Sequence, residues 1–419
     1  MLNSLRARLR RILPLRTIIR VLAARAGAAA ARLQPVRERV YIAANRDGAL
    51  RGNLAEIHRA LNSLTPVPSI LRETGSESER RGGLPILGLV SAVARIYRRS
   101  YRVASSRLVI VDDYFFPIYP VKKRRGVTIV QVWHACGAFK RFGRATLEAE
   151  WGADQIFLKW VPIHANYDLT LVSSASIAPI YAEAFGQPVE SISAAFGIPR
   201  TDALVPSPRR DAAERAVRER LGLRDGRTTI LYAPTFRGAD LKGAAAPELL
   251  DIAALHRALG GEYRLILRLH PFVKSAMPIP AEVGDFVVDA SAEPDANEVM
   301  LAGDILVSDY SSIIFEYALL NRPMAFLAPD LAAYERERGF FFDYRSGVPG
   351  PVMEETEQLA RWIQAKQFDL QRVRAFAAAS FDVMDGRATE RFVSDVALPA
   401  LRGEPIRIPS AATRQSERV

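Results

Sequence analysis

The 419-residue chain is 49% apolar and 25% charged, with a net charge of +11 and a single cysteine. That length leaves room for two or three domains with full cores, and the balance fits a globular chain rather than a disordered one. The lone Cys136 excludes an internal disulfide framework and a cysteine-rich zinc site, and the excess of cations points to an anionic partner.

No window reaches the ~18 uninterrupted apolar residues of a membrane span. The chain instead opens on Leu2, Leu5, Leu9, Ile12 and Leu13 at helical spacing, set among Arg6, Arg8, Arg10, Arg11 and Arg16, with Arg20 and Arg25 further on. The only acid before Arg39 is Glu38. This predicts a basic amphipathic helix over 1–38 that lies on an anionic membrane surface, each basic residue adding about 1 kcal/mol. Arginines interrupt every candidate signal-peptide core, so the expected location is the cytoplasmic face of a membrane, peripherally bound.

From there strands and helices alternate. Residues 39–44, 108–111, 127–132, 169–173 and 190–194 read as strands, with helices over 53–64 and 84–99 and from 175 to 185. Residues 72–83 read as a polar loop. A linker, VPSPR at 205–209, leads to a helix over 212–221 and a second alternating set. Its strands are expected at 230–233, 263–269, 286–289, 305–307 and 323–328, and its helices at 248–259, 313–320 and 359–379. The pattern predicts two doubly wound parallel sheets, an α/β domain over 39–204 and another over 205–370, facing each other across a cleft. Residues 371–401 are expected to form a helix that crosses back, and 402–419 a disordered tail.

In open parallel sheets ligands bind beyond the carboxyl ends of strands. Polar clusters fall at four such ends: Trp133-His134, Thr235 to Arg237, His270-Pro271, and Ser308 to Ser312. The last opens a nearly all-apolar helix, whose free N–H groups and neighbouring hydroxyls favour an anion. No Walker motif, GxGxxG or HExxH is present, and no histidine pair has metal-ligand spacing. Cofactor and metal are therefore not expected. No helix-turn-helix, RRM or zinc-finger signature accompanies the charge, so nucleic acid is not the expected partner either.

These segments resemble the CDP-glycerol glycerophosphotransferase family, the teichoic-acid polymerases and primases of bacteria. VQVWHACGAFK at 130–140 resembles its WHG-(x)-K segment, GIPRTD at 197–202 its G-x-P-R-x-D, YAPTFR at 232–237 its YAPTWR, and LRLHP at 267–271 its R-x-HP. SDYSS at 308–312 with Glu316 follows, and then the closing segments at 339–344 and 350–351. One departure is Ala135 in place of the motif's first glycine. The resemblance implies a GT-B-like fold and transfer of a polyol phosphate from CDP-glycerol, or alternatively CDP-ribitol, to a lipid-linked saccharide or polyol-phosphate acceptor. A GT-B glycosyltransferase using a UDP-sugar is the rival reading.

A hydroxyl nucleophile needs a base, and His134 is the candidate, because an imidazole changes charge near neutral pH. His270 would bind phosphate or protonate the leaving group. The pyrophosphate needs cations and donors: Lys140, Thr235, Arg237, Arg268, Ser308, Ser311 and Ser312. Asp309 would orient the loop. Glu316, a carboxylate in an apolar helix, needs either an arginine or a ribose hydroxyl. Arg200 and Asp202 would brace a hinge or face the substrate.

Overall fold

The computed structural model describes residues 15–44, 49–75, 85–146, 155–238, 245–271, 273 and 277–408. The positions expected at Leu2 to Leu13 and Arg6 to Arg11 lie outside them, as do most of the 72–83 loop and residues 409–419. The chain forms two units. One takes the described residues up to His134, those from Phe142 to Pro199 and those from Arg387 on; the other takes Ala135–Arg141 and Arg200–Gly386. Among the described residues each carries one six-stranded, all-parallel sheet, the α/β class the alternation predicts.

In the first unit the strands run in the order β2 (Ile70–Glu73), β1 (Arg37–Ala43), β3 (Ser106–Val111), β4 (Thr128–Gln131), β5 (Leu169–Leu171), β6 (Ile192–Ser193). The chain steps outward from β1 to β2 and then returns to the other side at β3, so the order reverses between β1 and β3. Residues 70–73 are thus a strand rather than the start of a loop. It reads as loop because it is an edge strand whose Glu73 is charged, yet Glu73 accepts from the Tyr41 hydroxyl (2.7 Å), Arg99 (2.7 Å) and Arg102 (2.6 Å). Helix α1 (Leu15–Ala31) lays Ala24, Gly27, Ala28 and Ala31 against α2 (Pro85–Ser105). The approach is so close that a Cβ on Gly27 would sit 2.1 Å from the Tyr97 carbonyl oxygen. Two of its arginines reach the segment after β3 instead: Arg20 covers the Phe116 ring at 4.2 Å, and Arg25 Nε donates to the Pro120 carbonyl at 3.0 Å.

In the second unit the order is β12 (Val352–Met353), β11 (Met324–Leu327), β10 (Ile305–Ser308), β7 (Thr228–Ala233), β8 (Tyr263–Leu267), β9 (Val287–Asp289). Strands β7 and β10 are buried along almost their whole length, which is why they read as continuous apolar runs. The chain proceeds from β7 to β9 on one side and from β10 to β12 on the other, placing the switch point between β7 and β10. The helix expected over 359–379 is two, Thr356–Ala365 and Leu370–Ser380, parted where Lys366 takes φ +51°. The helix expected over 313–320 is shorter, Ile313–Ala318. Among the described residues no helix is long and apolar enough to cross a membrane.

Candidate active site

At the second unit's switch point β7 delivers Thr235 and β10 delivers Ser308 and Asp309. The Ser308 hydroxyl donates to the Ala233 carbonyl at 2.7 Å. The fully buried Asp309 accepts from the Thr235 N–H at 2.7 Å and from its neighbour Tyr310 N–H at 2.6 Å through Oδ1, and from Arg237 Nη1 at 2.9 Å through Oδ2. Burial pushes its carboxyl up from the ordinary range, and Arg237 and the Thr235 N–H pull it back. Arg237 spans Asp309 and Asp330, donating Nε to Asp330 at 2.8 Å, and its guanidinium lies against the Tyr310 and Tyr334 rings at 5.1 and 5.2 Å. Asp330 is held below the usual carboxylate range: burial opposes this, but the Arg237 guanidinium and the Tyr310 hydroxyl outweigh it. Arg237 therefore spends its donors inside the protein. Thr235 Oγ1 and the Tyr232 hydroxyl are buried without a hydrogen-bond partner among the described residues.

The segment after His134 joins the same unit. Phe139 stacks on Phe342 and Tyr344 at 5.3 and 5.8 Å, and its carbonyl accepts from the Phe341 N–H at 3.1 Å. Gly137 makes the turn at φ +69°, where a Cβ would strike the Phe315 ring at 2.3 Å; glycine is required here, two positions after the motif's own first glycine is lost. This seats Lys140, half-buried, over the Tyr334 ring at 5.8 Å, hydrogen-bonded through its ammonium to no other described residue. Burial pushes its amine down to about 8, with Asp309 opposing and Arg338 and Arg237 reinforcing.

Glu316 is fully buried and pairs through Oε1 with Arg200, so the arginine partner is the one present; Oε2 has no partner among the described residues. Asp202 shares Arg200's short turn, partly exposed. Neither serine before the Ile313–Ala318 helix caps it in the ordinary way. Ser312 makes no side-chain cap, and Ser311 Oγ accepts the Ile313 N–H only at 3.4 Å. Arg268 does not stand free on a strand face: buried, it donates to the Ala290 and Ser291 carbonyls at 2.9 and 2.6 Å and shapes the loop that carries His270. His270 itself is half-buried, its ring 5.0 Å from Phe236 beside the Thr235 turn.

His134 stands in the first unit, where β4 ends. Its Nδ1 lies 2.9 Å from the Asp112 carbonyl, which can only accept, so Nδ1 carries the proton and Nε2 is the basic nitrogen. Asp113 Oδ1, at 3.8 Å, would stabilise an imidazolium. Trp133 before it takes φ +49°, a left-handed conformation costing a bulky residue roughly 1–3 kcal/mol. The Trp133 ring lies 4.3 Å from that of His134 and also meets Phe185 at 5.1 Å, Tyr114 at 5.8 Å, and Phe142 and His164 at 5.9 Å.

Sequence reading did not single out Asp330, Gln131 or Asn53. Asp330 follows β11 as the polar clusters follow other strands, and Gln131 is a polar residue at a buried strand position; both signals were there to be used.

The model of the family described as CDP-glycerol:poly(glycerophosphate) glycerophosphotransferase matches residues 31–398. A teichoic acid poly(ribitol-phosphate) polymerase of Bacillus spizizenii is 38% identical over 74% of this chain, which spans only 49% of that polymerase's length. A teichoic acid ribitol-phosphate primase of the same organism is 36% identical over 86% of this chain and 91% of the primase. The fold is that of a variant of the wall teichoic acid polymerase TagF soaked with CDPG, at a TM-score of 0.74 and 21% identity, covering 96% of this chain and 98% of that one.

Proposed function

Because the chain belongs to the CDP-glycerol:poly(glycerophosphate) glycerophosphotransferase family, we propose that it moves a polyol phosphate from a CDP-linked polyol to an acceptor hydroxyl, releasing CMP. The observation that carries this is the switch point of the second unit. There Asp309 fixes the Thr235 turn, while Thr235 Oγ1 is buried with no hydrogen-bond partner among the described residues, a polar group suited to a ligand's oxygen.

The acceptor oxygen attacks the polyol-bearing phosphorus, the bond from that phosphorus to the CMP oxygen breaks, and His134 Nε2 takes the acceptor's proton. Asp113 offsets the charge that the imidazole gains. Lys140, Thr235, Ser311, Ser312 and His270 hold the pyrophosphate and the departing CMP. Ser308, Asp309, Arg237 and Arg268 hold the loops in place by the bonds described above. Glu316, braced by Arg200, offers Oε2 to a ribose hydroxyl. Asp202 completes the turn that carries Arg200.

For the donor we propose CDP-ribitol, supported by the two ribitol-phosphate relatives. CDP-glycerol is the second reading, favoured by the family's description and by the TagF soak. The acceptor is a lipid-linked saccharide or polyol phosphate at an anionic membrane surface, a reading supported by the arginines of the N-terminal segment. CMP release with each donor decides the polyol: a rate about tenfold higher with CDP-ribitol is expected, about 1.4 kcal/mol of discrimination. The reverse order replaces it by glycerol. Deleting residues 1–14, which leaves the packed helix Leu15–Ala31 in place, should weaken binding to anionic vesicles, and undiminished binding rejects the membrane role.

A further inference from the structure

The backbone of Trp133 is gripped by two buried side-chain amides. Gln131 Oε1 accepts the Trp133 N–H at 2.9 Å, and Asn53 Nδ2 donates to the Trp133 carbonyl at 3.0 Å and to the Val132 carbonyl at 2.7 Å. Gln131 is itself fixed the right way round. Its Nε2 donates to the Tyr167 hydroxyl at 3.0 Å and to the Asp113 carbonyl at 3.2 Å, so a flipped amide would set N–H against N–H at Trp133. Tyr167 is held in turn by the Tyr119 hydroxyl at 2.8 Å, which accepts the Phe115 N–H at 3.0 Å. Both amides are buried, Gln131 completely. Two buried amides, one of them backed by the Tyr167 and Tyr119 hydroxyls, thus hold one residue in a conformation that tryptophan seldom takes, and the residue that follows is His134.

We propose that Gln131 and Asn53 are positioning residues: by holding Trp133 left-handed they keep His134 Nδ1 on the Asp112 carbonyl, and so keep the basic lone pair on Nε2. This rests on the reading of His134 as the base, and the two can fail separately.

The test uses the full chain labelled with 15N-histidine, the His134 signal being identified by its loss in His134→Gln. Long-range proton–nitrogen correlation should show His134 as the Nδ1–H tautomer. In Gln131→Met and in Asn53→Ala, two changes that remove different bonds, the signal should move toward a tautomer mixture. The kcat for CMP release should fall about 10- to 100-fold while KM for the CDP-polyol stays within about twofold. Asn53→Ser serves if either variant melts early. An unchanged tautomer and kcat in folded variants would overturn the positioning role, as would a change confined to KM. A scrambled tautomer with unchanged kcat would uphold the positioning and remove His134 as the base.

Discussion

The Thr235 N–H donates to Asp309 Oδ1 at 2.7 Å, and this bond ties together the carboxyl ends of the two strands that flank the second unit's switch point. The other oxygen of Asp309 holds Arg237, which reaches on to Asp330. One buried carboxylate thus sets the shape of the turn.

Asp309→Asn keeps the shape and removes the charge. Removing one partner of a buried pair leaves the other uncompensated, although Asp330 still serves Arg237. The expected loss is about 2–3 kcal/mol, read as a melting midpoint lowered by roughly 5 °C or more. An unchanged midpoint would mean that Asp330 alone suffices.

Thr235→Val separates binding from folding. The hydroxyl is buried with no hydrogen-bond partner among the described residues, so the isosteric change should alter stability by less than about 1 kcal/mol. Calorimetry should nonetheless show CDP-polyol binding weakened roughly tenfold, the loss of about one hydrogen bond to a charged group. Equal affinity would remove Thr235 from the site.

Lys140 carries a pH signature. Its folded amine sits near 8, below its unfolded value, so between those pH values the unfolded chain binds more protons and stability rises with pH. An anionic ligand beside the ammonium pushes its affinity for protons back up. Donor binding at pH 8 should therefore take up as much as about half a proton, seen by titration in buffers of different ionisation heat. Lys140→Met should abolish that uptake. Binding without uptake in the unaltered protein would place the pyrophosphate elsewhere.

His164 makes the first unit acid-sensitive. It is buried, stacked on Phe185 at 3.7 Å, and burial, with Arg144 reinforcing, pushes its imidazole down to about 3. The unfolded histidine binds its proton near 6.5, so stability is lost as pH falls below that value, by up to about 1.4 kcal/mol per pH unit. His164→Phe keeps a ring for the stack and should flatten the slope between pH 6.5 and 4. An unaltered slope would assign the acid response to other groups.

The strand-turn-helix at 305–318 was legible because a fully buried parallel strand is a plain apolar run and its end is marked by small polar residues. The same logic placed His134, His270 and Thr235 at strand ends. The split between the helices at 356–365 and 370–380 was hidden because neither glycine nor proline marks it; Asp369, whose side chain accepts the Arg372 N–H at 2.9 Å, was the available cue. The roles of Arg237 and Arg268 were hidden for another reason. An arginine beside a strand end reads alike whether it meets a phosphate or its own protein's oxygens, and only the fold shows Asp330 and the Ala290 carbonyl in reach. The basic N-terminal segment divides similarly: its leucine periodicity falls on residues outside the described ones, while the contact of the alanine face of Leu15–Ala31 with Pro85–Ser105 depends on a partner about 70 residues away.

The most direct measurement is single-turnover CMP release from a CDP-polyol, with a lipid-linked acceptor, by the unaltered chain and by His134→Gln checked to be folded. The account predicts that donor binding survives in the variant while CMP release falls by about 10²-fold or more. CMP release at the unaltered rate in His134→Gln would contradict it.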